Sequence, residues 1–357
     1  MTIGRRHRIA VVPGDGIGIE VTAAALEVLA AAGARHGFEL ETTEHPWGCD
    51  HYVEHGRMMP PDALETLADT DAILLGAVGR PDVPDHVSLW GLLIPIRRAF
   101  RQYVNLRPIR LWPGIPSPLR DVTPEQIDMA IVRENNEGEY SEIGGRLYHG
   151  TEEELAVQQA TFTRRGTDRV MAYAFELAAT RSRRICSATK SNGIIHTMPF
   201  WDERFAAAAA HHPDVQTEQV LIDALAALVV LAPGRFDVIV ATNLFGDILS
   251  DLAAAVAGSI GIAPSANLNP EREHPSMFEP VHGSAPDIAG RGIANPIGAI
   301  WSGAMMLDHL SEHEAAAAIL GALEQSLANG GPRTPDLGGT ATTADVTREL
   351  AASFATR

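Results

Sequence analysis

The sequence predicts an α/β protein built on a parallel sheet, and three observations carry that prediction. Short apolar segments at residues 8–12, 71–75, 127–132, 185–188 and 236–241 read as buried strands, with helical patterns between them. The first two run into glycine turns, Pro13-Gly14-Asp15-Gly16-Ile17-Gly18 and Gly76-Ala77-Val78-Gly79, at the strand ends where such sheets open their ligand crevice. With 357 residues, 45% of them hydrophobic, the chain is long enough for two domains or one large two-lobed one.

A net charge of −17 argues against nucleic-acid or anionic-membrane partners, which need basic surface, but leaves room for a small anion held by local arginines. The two cysteines, Cys49 and Cys186, form no CxxC and no disulfide framework, which suits a reducing cytoplasm. The apolar run 9–12 is too short for the core of a signal peptide, and no run is expected to reach the ~18 apolar residues of a membrane span.

Taken in order, the first turn has GxGxG spacing with isoleucine where a Rossmann fingerprint wants its last glycine, so it is a weak phosphate signal. Residues 38–45 read as a strand and 61–68 as a helix. Arg97, Arg98, Arg101 and Arg107 then fall within eleven residues, with Arg97 and Arg101 one helical turn apart. The guanidinium fork matches carboxylates, so this is either an anion site or a solvated helix face. The strand at 127–132 runs into a dense polar segment, Arg133 to Tyr140, and residues 141–165 alternate like a β-ribbon or arm. Lys190 lies at the end of the strand 185–188, between helices at 167–179 and 198–210. Asp223 interrupts an apolar stretch at 220–231. An uncompensated buried carboxylate is costly, so it needs an N-cap role, the strongest plain alternative, a partner or a metal.

Residues 242–251 read Thr-Asn-Leu-Phe-Gly-Asp-Ile-Leu-Ser-Asp, between a buried strand and a helix. Asp247 and Asp251, four apart, share one helix face, where like charges repel. A divalent ion such as Mg²⁺ or Mn²⁺ would compensate them; a capping Asp247 beside a solvated Asp251 is the plainer alternative. Residues 263–298 are rich in Pro, Gly and Asn and read as one long, functional loop. Helices at 298–310 and 313–328 and a final helix complete the chain.

Together these residues resemble the β-decarboxylating dehydrogenases that act on isocitrate, 3-isopropylmalate and tartrate or D-malate. The resemblance runs nearly end to end, through PGDGIG, NLRP, RENNEGEY, TKSN, NLFGDILSD and EPVHGSAPDIAGRGIANP, and the last two are quite specific. SLWGLL, TKSN and GIAPSANLNPER look most like the tartrate/D-malate branch. The resemblance implies a two-domain isocitrate/isopropylmalate dehydrogenase-like fold, not a Rossmann fold. A large cofactor-binding domain would comprise residues 1–105 and 256–357, and residues 106–255 a small central domain with the arm and the interface of a homodimer. The active site is then shared between subunits. It implies Asp247 and Asp251 as metal ligands of one subunit and Asp223 as the ligand from the other. Arg97, Arg107 and Arg133 match the carboxylate grips, and Tyr140 and Lys190 the catalytic pair. Trp90 and Leu93 fall among the substrate-selecting positions. His282, Gly283, Ser284, Ala285, Asp287, Ile288, Asn295 and Asn192 fall at the cofactor pocket.

The implied chemistry is oxidation of a 2-hydroxy acid at C2 followed by loss of CO₂ from the β-keto acid, with Mg²⁺ or Mn²⁺ as Lewis acid and K⁺ as a candidate helper. Lys190, its pKa lowered by burial and nearby cations, would take the hydroxyl proton, and Tyr140 would protonate the enol carbon. The carboxylate of Asp287 suits a ribose 2′-hydroxyl and repels a 2′-phosphate, so NAD is expected. Bulky Trp90 and bare Gly193 suit a small dicarboxylate, D-malate or a tartrate, over 3-isopropylmalate, the alternative substrate. A phosphoryl-transfer enzyme, a non-catalytic subunit and a purely structural protein are competing readings; the first would not need Lys190, Tyr140 or Asp287.

Overall fold

The computed structural model of the chain describes residues 5–355. They cluster in two compact units. The first takes the chain to Gln102, Arg110–Pro124 and the chain from Ala254 on; the second takes Tyr103–Ile109 and Glu125–Ala253. Arg110–Pro124 thus departs from a continuous central domain. It returns to the first unit because Trp112 packs edge-on against Trp301 at 5.0 Å and Arg110 Nη2 donates to Glu324 Oε1 at 2.7 Å.

The chain begins with β1 (Arg5–Gly14), α1 (Ile17–His36), β2 (Phe38–Glu44), α2 (Cys49–His55), α3 (Ala63–Ala68), β3 (Ala72–Ala77) and α4 (Asp85–Ser88). A π-helical turn at Leu89–Leu93 leads into α5 (Ile94–Ala99) and β4 (Val104–Arg110). Then come β5 (Asp128–Glu134), β6 (Gly144–Leu147), β7 (Leu155–Gln158), α6 (Arg164–Thr180), β8 (Arg184–Thr189), α7 (Thr197–Ala209), β9 (Gln216–Leu221), α8 (Ile222–Leu231), β10 (Val238–Ala241) and α9 (Asn243–Val256). The chain ends with β11 (Pro264–Leu268), β12 (Ser276–Pro280), α10 (Ile297–His309), α11 (His313–Ala328) and α12 (Thr343–Ala352).

In the first unit the strands run β2-β1-β3-β12-β11. All neighbours are parallel except β11, which lies antiparallel to β12 with Pro264 opposite Pro280. β3 is buried along its whole length, as befits a central parallel strand covered on both faces. Ala10, Val12, Ile73, Leu75, Leu92, Ile96 and Met277 belong to one apolar cluster. In the second unit the order is β4-β5-β10-β8-β9, with β10 parallel to β5 and β8, and β8 parallel to β9. The anticipated arm is a separate antiparallel ribbon, β6 with β7, every residue of it exposed.

Two expectations fail here. Residues 263–298 are not one loop, because β11 and β12 lie inside them; their alanine, serine and asparagine side chains hide strands that are nonetheless fully buried. And α1, at 20 residues and mean hydropathy 1.6, is long and apolar enough to cross a membrane. Ten of its residues are buried and it packs on α10 and α12, so its apolar surface is covered within the first unit.

The two glycine turns of that unit meet. Asp15 N donates to Ala77 O at 2.7 Å, and Ile17 N to Ser284 O at 2.8 Å. The Asp15 carboxylate accepts from Cys49 N and from Gly79 N, at 2.9 Å each. Gly14 (φ +73°) leaves no room for a Cβ, which would overlap the Ala77 carbonyl. The PGDGIG glycines therefore serve close backbone approach. Gly14→Ala should cost at least about 1–2 kcal/mol from the left-handed backbone alone. Gly321→Ala, in the middle of α11 with open space around it, should gain roughly 0.5–1 kcal/mol. Urea midpoints of the two variants test both signs.

Candidate active site

β10 is buried at all four residues, and α9 starts two residues after it ends, so the polar side chains of α9 emerge beside the strand ends of the second unit. Asp247 and Asp251 occupy successive turns. Arg107, buried on β4, reaches both: Nη2 lies 3.3 Å from Asp247 Oδ1 and Nη1 3.2 Å from Asp251 Oδ1, and Nη1 also donates to Ser250 Oγ at 2.6 Å. Arg133, at the end of β5, pairs with Asp247 Oδ1 and donates to Asn243 Oδ1 through Nε at 3.0 Å and Nη2 at 2.6 Å. Tyr140 Oη donates to Asp247 Oδ2 at 3.1 Å, and the Arg133 guanidinium lies 5.6 Å from the Tyr140 ring centre. Gly246 admits this approach, since a Cβ there would come within 2.7 Å of Arg133 Cβ.

Arg107, Arg133, Tyr140, Asp247 and Asp251 are therefore one cluster. Burial pushes the Asp251 carboxyl up, and Asp247 pushes the same way, while Arg107 and Arg133 oppose the rise. A cation between the two carboxylates would relieve that strain, and oxygen donors of this kind suit Mg²⁺ or Mn²⁺. Arg107 Nε is buried with no partner, a donor placed for one more anionic oxygen.

Asp223 is not part of the cluster. Among the described residues no three His, Cys, Asp or Glu side chains group to hold a metal. Nor is Asp223 buried: α8 packs through Leu225 and Val229, which turns its first-turn carboxylate outward, 67% exposed. It pairs with Lys190 Nζ at 2.7 Å, and that bond, the largest cause, holds the Asp223 carboxyl below its ordinary range. Deep burial is expected around Lys190, but its side chain is 29% exposed and its amine lies beside an acid. Asn192 and Gly193 follow it on an exposed turn.

In the first unit Arg97 is buried and donates from Nη2 to Glu279 Oε1 at 2.9 Å, which also accepts from Asn267 Nδ2 at 2.7 Å; Arg97 Nε has no partner. Arg101 does not share a helix face with it, because α5 ends at Ala99 and Arg101 takes a left-handed backbone. Trp90 lies under the Arg98 guanidinium at 5.1 Å, while Leu93 leans on the apolar cluster. The segment after β12 carries His282, Gly283, Ser284, Ala285, Asp287 and Ile288. His282 Nε2 is buried without a partner, burial lowers the pKa of the ring, and Asp287 is exposed. Asn295 Nδ2 donates to Asp336 Oδ2 at 3.0 Å. An orphaned ring nitrogen, open space at Gly283 and an exposed carboxylate fit a polar ligand such as a dinucleotide.

The sequence profile described as isocitrate/isopropylmalate dehydrogenase matches residues 8–350. The chain belongs to the isocitrate/isopropylmalate dehydrogenase family. The D-malate dehydrogenase [decarboxylating] of Escherichia coli (strain K12) is 57% identical over 347 residues, which cover 95% of this chain and 96% of that one. A probable tartrate dehydrogenase/decarboxylase of Bacillus subtilis (strain 168) is 55% identical over 348 residues, 97% of each chain. The crystal structure of isocitrate dehydrogenase from Methylococcus capsulatus superposes with a TM-score of 0.86 at 34% identity, over 98% of this chain and 99% of that one. Membership fixes the fold class as expected: a family α/β fold without a Rossmann fingerprint.

Sequence reasoning passed over Asn243, Ser250, Glu279, Asn267 and Asp336. Asn243 and Ser250 stood in the motif that carries the aspartates; Asp336, 41 residues from Asn295, left no local signal. Glu134 was also missed. It is fully buried, its Oε2 accepts from Asn136 N at 3.0 Å and Glu137 N at 2.6 Å, and burial pushes its carboxyl up to about 7 against those two bonds. An acid whose native pKa lies above its ordinary 4.5 keeps its proton longer in the folded state, so it makes stability fall as pH rises from about 4.5 to about 7. Glu134→Gln should flatten that part of the curve, as read from urea unfolding at pH 5 and pH 8.

Proposed function

We propose that the protein is a decarboxylating dehydrogenase that converts a small 2-hydroxy dicarboxylate, D-malate or a tartrate, with reduction of NAD. The observation that carries this reading is the single cluster of Arg107, Arg133, Tyr140, Asp247 and Asp251, which combines anion grips, a proton donor and paired carboxylates. The high identity to enzymes named for D-malate and tartrate supports this choice over 3-isopropylmalate.

Bound at Asp247 and Asp251, Mg²⁺ or Mn²⁺ would supply Lewis acidity at the substrate oxygens, and NAD, bound along His282–Ile288, Asn295 and Asn192, would accept the hydride. The residues do the rest. Arg97, Arg107 and Arg133 hold the two carboxylates, and the unpartnered Nε groups of Arg97 and Arg107 suit that task. Lys190 takes the hydroxyl proton as hydride leaves C2, and CO₂ then departs from C3. Tyr140, already donating to Asp247, delivers one proton to C3, which gives pyruvate from D-malate. Trp90 and Leu93 wall the substrate, and Asp287 selects NAD. K⁺ would assist as a secondary cation.

The active site is shared in a homodimer. Lys190 and Asp223 form their own pair, and among the described residues no third acid joins Asp247 and Asp251, so one subunit brings Lys190 and Asp223 to the partner's cluster. Exposed apolar side chains on the second unit, Leu147, Tyr148, Ile195, Leu231 and Ile248, suit burial between copies. The buried, unpaired Cys49 and Cys186 suit a cytoplasmic location.

With Mn²⁺ present, NAD reduction should be fastest with D-malate or a tartrate, slower with 3-isopropylmalate and abolished by chelator. Asp251→Asn should lower turnover more than about a hundredfold and remove the Mn²⁺-dependent rise in Tm; retained turnover would reject the metal assignment. Tyr140→Phe and Lys190→Ala proteins, each left with a small residual rate, should recover part of the wild-type rate when mixed under subunit exchange. Proven mixed dimers without recovery would reject the shared site.

A further inference from the structure

Glu139 does nothing in the chemistry above, yet it is the side chain next to Tyr140. Its Oε1 accepts from Thr242 Oγ1 at 2.9 Å and its Oε2 from Leu244 N at 3.1 Å. Leu244 N is one of the amides that a helix start leaves without an intrahelical acceptor, so the carboxylate caps α9 from a separate segment and sits at its positive end. One turn further along the same helix, Tyr140 Oη donates to Asp247. Residues 139 and 140 therefore hold α9 at two points, at its amino terminus and at the aspartate carrying the acidic cluster. The flanking glutamates have other duties: Glu137 receives Thr163 N and Thr163 Oγ1 at 2.7 Å each, at the start of α6, and Glu134 ties its own turn.

We propose that Glu139 is the positioning residue for Tyr140: by capping α9 it fixes the phenol against Asp247, in line to deliver the final proton. The inference rests on the reading of Tyr140 as the proton donor. A glutamine could keep both contacts, its carbonyl accepting from Leu244 N and its N–H₂ donating to the Thr242 hydroxyl, so the change that removes the cap is to alanine; an aspartate would be one methylene short.

The test is a double-mutant cycle on the full-length enzyme with Mn²⁺, NAD and D-malate, together with amide hydrogen exchange. Glu139→Ala should lower kcat roughly tenfold with KM for D-malate within about twofold, because the arginine grips are untouched. In a Tyr140→Phe background the same change should lower kcat by less than about twofold further, since the phenol it aims is gone. Exchange at the Leu244 amide should rise roughly tenfold in Glu139→Ala, a readout that needs no turnover. Thr242→Val, which removes the hydroxyl that donates to Glu139 and accepts from Phe245 N at 3.4 Å but keeps the Leu244 N bond, should give a smaller loss of kcat. Losses that multiply in the double variant, or unchanged exchange at Leu244, would overturn the positioning role. Full activity of Tyr140→Phe alone would instead overturn the reading of Tyr140 as the acid.

Discussion

Asp247 is the point on which the second unit's chemistry depends. One carboxylate receives Arg107 from β4, Arg133 from β5 and Tyr140 from the segment after β5, and it stands on the helix that follows β10. β4, β5 and the segment after β5 thus bring side chains to a single acid on the helix after β10. A carboxylate can accept from several donors at once, so one acid accommodates all three. The two arginines also make it tolerable to set Asp247 and Asp251 a turn apart. Gly246 and the short step from Ala241 to Asn243 are the backbone conditions for the arrangement.

The first unit is organised by a different device. Asp15 accepts from two loop amides, and glycines let three backbone segments touch, so the turns after β1 and β3 and the segment after β12 form one rim. That rim carries His282 and Asp287, and its order comes from backbone contact. The His282 ring bonds Gly283 O through Nδ1, and its buried Nε2 has no partner.

Much of this was legible in the sequence, because apolar runs and glycine turns report on burial and strand ends directly. β1, β3, β5, β8 and β10 fall close to the apolar segments, and Asp247, Arg133 and Tyr140 were singled out from local motifs. β11 and β12 were not legible, since Ser265, Asn267, Ser276 and Glu279 are polar and buried, satisfied by partners distant in sequence. Asp223 was misjudged for the converse reason: an apolar stretch suggested burial, whereas α8 buries only Leu225 and Val229 and leaves the rest of its surface at least partly open. Pattern reading registers hydrophobicity, but not what covers it.

The division of the chain bears on how it is made. The polypeptide passes from one unit to the other at four places, and β3 pairs with β12, a strand some two hundred residues later. While it emerges from the ribosome, the first unit holds β1, β2 and β3 with a full edge of β3 unpaired until Ser276–Pro280 has been synthesised. The second unit has no such wait, since its last strand and the acidic turn of its last helix are complete by Asp251. The cluster around Asp247 can therefore assemble while the rim around Asp15 is still unfinished, and the carboxyl-terminal third of the chain acts as the closing piece of the amino-terminal domain.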